Sequence, residues 1–205
     1  MSIDLDLFRW TPPKFSEFPS SVGVIITKGC RDGLSEIGKA RNSAKEPNWT
    51  RRMSKAFTDA QINELGMYGE YAASSYLGLK VDQKIHRVGD SGHDLVFGRM
   101  KIAVKYNHRW RGYMIVEGRI GDDLKIGHIR DFNSDAIILT HGICAPPVCK
   151  CFKDDAAIFV VVAGWLTKEK FLKRMSSVNW GLGLRYYCRC DQLDPIHTVF
   201  GLERA

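Results

Sequence analysis

The chain has no apolar stretch long enough to cross a bilayer as a helix: its longest such run, Ala156 to Leu166, spans 11 residues. The start of the chain, Met1 to Trp10, carries Asp4 and Asp6 and has no basic stretch followed by an apolar one, so no secretory signal is expected. No internal repeat or low-complexity tract is found, which excludes solenoids, collagen-like chains and long coiled coils. Acidic residues are in deficit, 23 against 30 lysines and arginines, giving a net charge of +7. That excess points to a polyanionic partner, because fixed cations gain by releasing counterions condensed on phosphate. Cysteine is nearly absent from the first two thirds: Cys30 stands alone, and the other five fall at 144, 149, 151, 188 and 190. Without an export signal these are expected as thiols or metal ligands of a cytoplasmic, intracellular protein rather than as disulfides.

What is present suits one globular domain: 205 residues, 44% hydrophobic and 26% charged, enough for a buried core without a staple. Residues 1 to 55 hold Pro12, Pro13, Pro19 and Pro47, one apolar run at Val22 to Ile26, and many cations, Arg51, Arg52 and Lys55 among them. This segment reads as an irregular basic arm with one strand, either solvated or laid along phosphates. Residues 56 to 205 read as the α/β domain. Thr58-Asp59-Ala60-Gln61 matches a capping box, Ile62, Leu65, Tyr68, Ala72, Ala73 and Tyr76 recur at helical spacing, and Gly78 is placed to end the helix.

Short segments of strand character follow at 80–86, 94–97, 100–106, 113–117, 136–140 and 157–163, with a hairpin turn at Gly98-Arg99 and a second helix opening at Thr167. The order predicts a mixed central sheet flanked by helices.

Side chains alternate along a strand, so in Lys101-Ile102-Ala103-Val104-Lys105 positions 103 and 105 share a face while Ile102 and Val104 turn to the other. If the strands pair through Gly98-Arg99, Asp94 comes beside position 103. Asp94, residue 103, Lys105 and the helix residue Glu70 then converge.

This arrangement, over roughly Met67 to Asn107, resembles the PD-(D/E)xK nuclease superfamily, especially its resolvase-like and phage-type members. The matching residues are Tyr68-Gly69-Glu70-Tyr71-Ala72-Ala73, then Gly92-His93-Asp94-Leu95, a hairpin, and Ile102-Ala103-Val104-Lys105. The resemblance implies a restriction-endonuclease-like fold and metal-dependent hydrolysis of DNA phosphodiesters. Asp94 and the Val104 carbonyl would bind Mg²⁺ or Mn²⁺, Glu70 would bind metal directly or through water, and Lys105 would orient and help deprotonate the attacking water. The family carries an acid, usually glutamate, where this chain has Ala103, so the chain is expected to cleave poorly. Either an acid was replaced to block cleavage, or a natural pseudo-nuclease kept the fold and its DNA surface. Retention of Asp94, Lys105 and Glu70 favours the first. The partner implied is duplex or branched DNA, with no membrane, and a homodimer would suit the cutting of two strands.

His108, Arg109 and Arg111, interleaved with Tyr106 and Trp110, are candidate DNA contacts against a solvated-loop alternative. Cys149, Cys151, Cys188 and Cys190, with Cys144, His141 and His197 near in sequence, are candidate Zn²⁺ ligands against half-buried thiols. From these follow two other readings of the chain, a non-catalytic nucleic-acid-binding protein on the same fold and a zinc-stapled protein-interaction module.

Overall fold

A computed structural model describes residues 21–44, 57–81, 83, 93–107, 113–117, 134–142, 157–179 and 184–204. The chain is a mixed α/β protein. Strand β1 (Val22–Ile26) leads into helix α1 (Lys28–Ala44), and helix α2 (Asp59–Leu77) follows. Strands β2 (Leu95–Phe97), β3 (Met100–Asn107), β4 (Met114–Glu117), β5 (Ala136–Gly142) and β6 (Ile158–Thr167) come next, then helix α3 (Lys168–Arg174) and strands β7 (Ser176–Asn179) and β8 (Leu184–Cys188). Two 3-10 turns, Cys190–Gln192 and Ile196–Arg204, close the chain. Among the described residues no helix is long and apolar enough to cross a membrane.

Five strands form the central sheet in the order β1-β6-β5-β3-β2, antiparallel except for the parallel β3/β5 pair. Strands β4, β8 and β7 form a second, antiparallel sheet in the order β4-β8-β7. The alternation of side chains divides the core in two. Ile102, Ala136, Ile138, Val160 and Val162 face α2, where Leu65, Tyr68, Ala72 and Ala73 meet them. Ala103, Ile137, Leu139 and Leu166 face the other way, onto Met114, Val116, Tyr186, Cys188 and Phe171 of the second sheet and α3. The central sheet is therefore sandwiched, α1 and α2 on one side and the smaller sheet with α3 on the other.

The capping box at Thr58 forms in both directions, Gln61 N–H to Thr58 Oγ1 at 3.3 Å and Thr58 N–H to Gln61 Oε1 at 2.9 Å. It fixes where α2 begins, and the Gly78 N–H closes the other end on Ser74 and Ser75 carbonyls. Between these caps α2 lies close enough to β3 and β5 that a Cβ on Gly69 would fall 2.5 Å from Thr140 Oγ1 and 3.1 Å from Tyr106 Cβ. Only glycine allows that approach, and it presses the turn carrying Glu70 onto the sheet.

In the segment 1–55 the one expected strand forms at Val22–Ile26, as a full member of the central sheet, but the rest of the described part is not irregular: the 17 residues of α1 pack on α2 with Arg31, Leu34 and Gly38 buried. The helical stripe was hidden because two of its buried positions are an arginine and a glycine, which carry no apolar signal. Of the expected strand at 80–86, Lys80, Val81 and Gln83 lie in no strand, and the other positions fall outside the described residues. β7 and β8 were not anticipated; Ser176 and Ser177 gave no apolar alternation to read.

Candidate active site

The turn Gly98-Arg99 joins β2 to β3 with the tightest hairpin register, Phe97 opposite Met100 and Leu95 opposite Ile102. Gly98 sits at φ 61°, a conformation that costs glycine nothing. One step before β2, the Asp94 N–H donates to the Ile102 carbonyl at 2.9 Å, which sets Asp94 opposite Ala103. The Asp94 side chain then reaches along β3, and its Oδ2 accepts the Val104 N–H at 2.6 Å. A carboxylate on a backbone amide is a charge-assisted bond, and it satisfies the donor exposed where β2 has ended. In a strand the N–H and C=O of one residue point to the same edge, so the Val104 carbonyl faces the edge that Asp94 lines. The Lys105 carbonyl points the other way and accepts the Thr140 hydroxyl at 3.3 Å.

Strand alternation places Lys105 on the same sheet face as Ala103, one row further along β3 and opposite Leu139 of β5. Lys105 is half-buried and makes no ion pair with a described residue. Asp94, position 103 and Lys105 therefore occupy neighbouring places on one face. Ala103 is 3% exposed, and its methyl packs in the cluster with Met114, Val116, Ile137 and Leu139.

Glu70 is held elsewhere. Its two carboxylate oxygens both accept from Arg41 Nη1 of α1, at 3.0 and 2.9 Å, and both side chains are largely buried, 14% and 11% exposed. This ion pair sits in the helix layer, on the side of the sheet opposite Lys105. The structure joins Glu70 to α1, a pairing that local spacing does not signal because α1 lacks a readable apolar stripe.

The donor set bears on a divalent cation directly. Asp94 places Oδ2 on the Val104 amide and the Val104 carbonyl faces the same edge; Ala103 adds no oxygen from its side chain, and both Glu70 oxygens accept from Arg41. A hard cation that keeps several waters suits such a site in part, with one carboxylate missing.

The cysteines divide. The Cys188 thiol is buried in the second apolar cluster and directed at the Phe171 carbonyl, 3.8 Å away, and burial pushes its pKa up to about 11, with Arg174 pulling it down slightly. Cys190 instead meets the buried His141, Sγ to Nε2 at 3.1 Å, and burial together with Asp191 pushes its pKa up to about 12. The Cys-x-Cys pair thus sends its two thiols to different partners, and both are neutral at pH 7. Cys30, Cys188 and Cys190 are free thiols. Among the described residues no three His, Cys, Asp or Glu side chains gather as metal ligands would. His197 is exposed. Cys144, Cys149, Cys151, Arg51, Arg52, Lys55, His108, Arg109 and Arg111 lie outside the described residues.

No family model matches the chain, and no curated protein or solved structure matches it.

Proposed function

We propose that the chain is a restriction-endonuclease-like protein of the PD-(D/E)xK plan that engages DNA phosphodiesters, with metal-dependent hydrolysis impaired because Ala103 stands where a carboxylate is needed. The observation that carries this reading is the junction of β2 and β3: an aspartate clamped to the Val104 amide at 2.6 Å, opposite position 103, with Lys105 one row along on the same face. A lysine there can neutralise a phosphate oxygen and steer a water. Mg²⁺ or Mn²⁺, held by the Asp94 carboxylate and the Val104 carbonyl, would supply charge neutralisation. The net charge of +7 supports a polyanionic substrate.

A second reading has its own support. The Ala103 methyl is enclosed by apolar side chains, a setting that fits alanine as the resident of this position. A natural, non-catalytic DNA-binding protein on the same plan accounts for it.

The Ala103→Glu variant separates the two. Mg²⁺-dependent cleavage of duplex or branched DNA by the variant supports the nuclease reading. Salt-sensitive DNA binding without cleavage by either form supports the second. Absence of DNA binding at low salt rejects both.

A further inference from the structure

The outer face of the second sheet carries aromatic rings where an antiparallel sheet with one buried face is expected to be polar. Met114 and Val116 of β4, with Tyr186 and Cys188 of β8, turn inward to the core. By alternation Tyr113, Ile115 and Tyr187 turn outward, Ile115 directly opposite Tyr187. Tyr113 is 41% exposed, and its ring lies 4.8 Å from that of Tyr187 at an interplanar angle of 56°. Continuing the register one step sets Arg189 opposite Tyr113. The Arg189 guanidinium side chain is 63% exposed and among the described residues pairs with Asp191 at the surface, a pair that a stronger anion can replace. The platform adjoins the candidate site: Asn107, two residues beyond Lys105, donates its side-chain amide to the Tyr113 carbonyl at 3.1 Å.

We infer that Tyr113 and Tyr187 form a stacking platform for an unpaired nucleobase, with Arg189 holding an adjoining phosphate. The inference rests on the nucleic-acid reading above and deepens it by naming the substrate class: DNA with a single-stranded stretch, at a branch, a flap or an end, rather than continuous duplex. Rings stack on any base, so the platform discriminates paired from unpaired and not one sequence from another. A cross-strand tyrosine pair also stabilises a sheet, so the test has to read the base itself.

Fluorescence anisotropy of the full chain with a labelled thymidine oligomer, an abasic oligomer of equal length and a duplex supplies that reading. The wild type is expected to bind the thymidine oligomer about tenfold more tightly than the abasic one, within the range of base–aromatic stacking. Tyr113→Ala removes the preference and leaves abasic and duplex binding unchanged. Tyr113→Phe, which keeps the ring, retains it. Arg189→Gln weakens all three ligands alike. A wild type that treats base-bearing and abasic strands equally, while binding both and duplex with steep salt dependence, overturns the platform and leaves the DNA reading standing. A preference that survives in the Tyr113→Ala/Tyr187→Ala double variant overturns it as well. No binding to any of the three at low salt removes the DNA reading, and the platform with it.

Discussion

The even residues of β3, Ile102, Val104 and Tyr106, belong to the helix-covered cluster, whereas the odd residues Ala103, Lys105 and Asn107 face the second sheet. On the helix side apolar packing and a buried ion pair dominate among the described residues. Arg41 Nη1 bonds both Glu70 oxygens there, and Gly69 draws α2 onto the strands. On the other side the same strand carries a lysine, half-buried and without an ion pair among the described residues, one row from the aspartate that accepts the Val104 N–H. The contrast teaches that the acid in the helix ties two helices together, while the acid at the strand edge fastens a strand through its backbone amide. Identical carboxylates take different duties from their neighbours.

The sharpest way to break this contrast is to cut the ion pair on the helix side. Arg41→Ala removes the guanidinium that bonds both oxygens of the buried Glu70, and about 3 kcal/mol of stability should be lost, measured by denaturant unfolding. Glu70→Gln should cost less, and the double variant should recover part of the loss; additive effects would show that the two do not act together. On the strand side, Asp94→Ala exposes the Val104 amide at the cost of about 1–3 kcal/mol. Asp94→Asn keeps an acceptor and should hold most of that stability while abolishing any metal-dependent function.

Thr58→Ala should remove about 1 kcal/mol by opening the cap of α2, with DNA binding untouched. Lys105→Ala should change stability by less than about 0.5 kcal/mol, since its side chain closes no ion pair among the described residues. The same variant should lower the slope of log affinity against log salt by about one, as expected for one lost phosphate contact.

The smallest effect concerns acid. Asp194 bonds Lys170 at 2.5 Å and Arg174 at 2.8 Å, tying α3 to the C-terminal turns. Burial pushes its pKa up, but the two cations outweigh burial and hold it below the usual 3.8. The folded pKa lies under the unfolded one, so the contribution is present above pH 3.8 and is lost as the pH falls through the folded value. Asp194→Asn should flatten the acid limb of a stability–pH curve there and leave it unchanged near neutrality.

The sequence made much of the strand side legible and little of the helix side. Thr58 to Gln61 announced α2, Gly98-Arg99 announced the hairpin, and alternation alone set Ala103 and Lys105 on one face. These are local signals, written within a few residues. Arg41 against Glu70 is a pairing across 29 positions, and it depends on a helix whose buried stripe contains Arg31 and Gly38. Ala103 likewise read as a missing ligand from spacing alone, and only its enclosure by Met114 and Val116 of a separate strand reveals it as a packed position. Tyr113 and Tyr187 gave no motif, because their meeting depends on β4 pairing with β8 some seventy residues on.

The most direct test of the central claim is DNA cleavage by Ala103→Glu, with Ala103→Asp as the smaller companion, compared in Mg²⁺ and in chelator after thermal unfolding has verified that the variants fold. The account predicts strand breaks that require the divalent ion, are absent in the parent chain, and vanish again when Lys105→Ala is added. A folded Ala103→Glu or Ala103→Asp variant that binds DNA and leaves every phosphodiester intact in Mg²⁺ and in Mn²⁺ would contradict it.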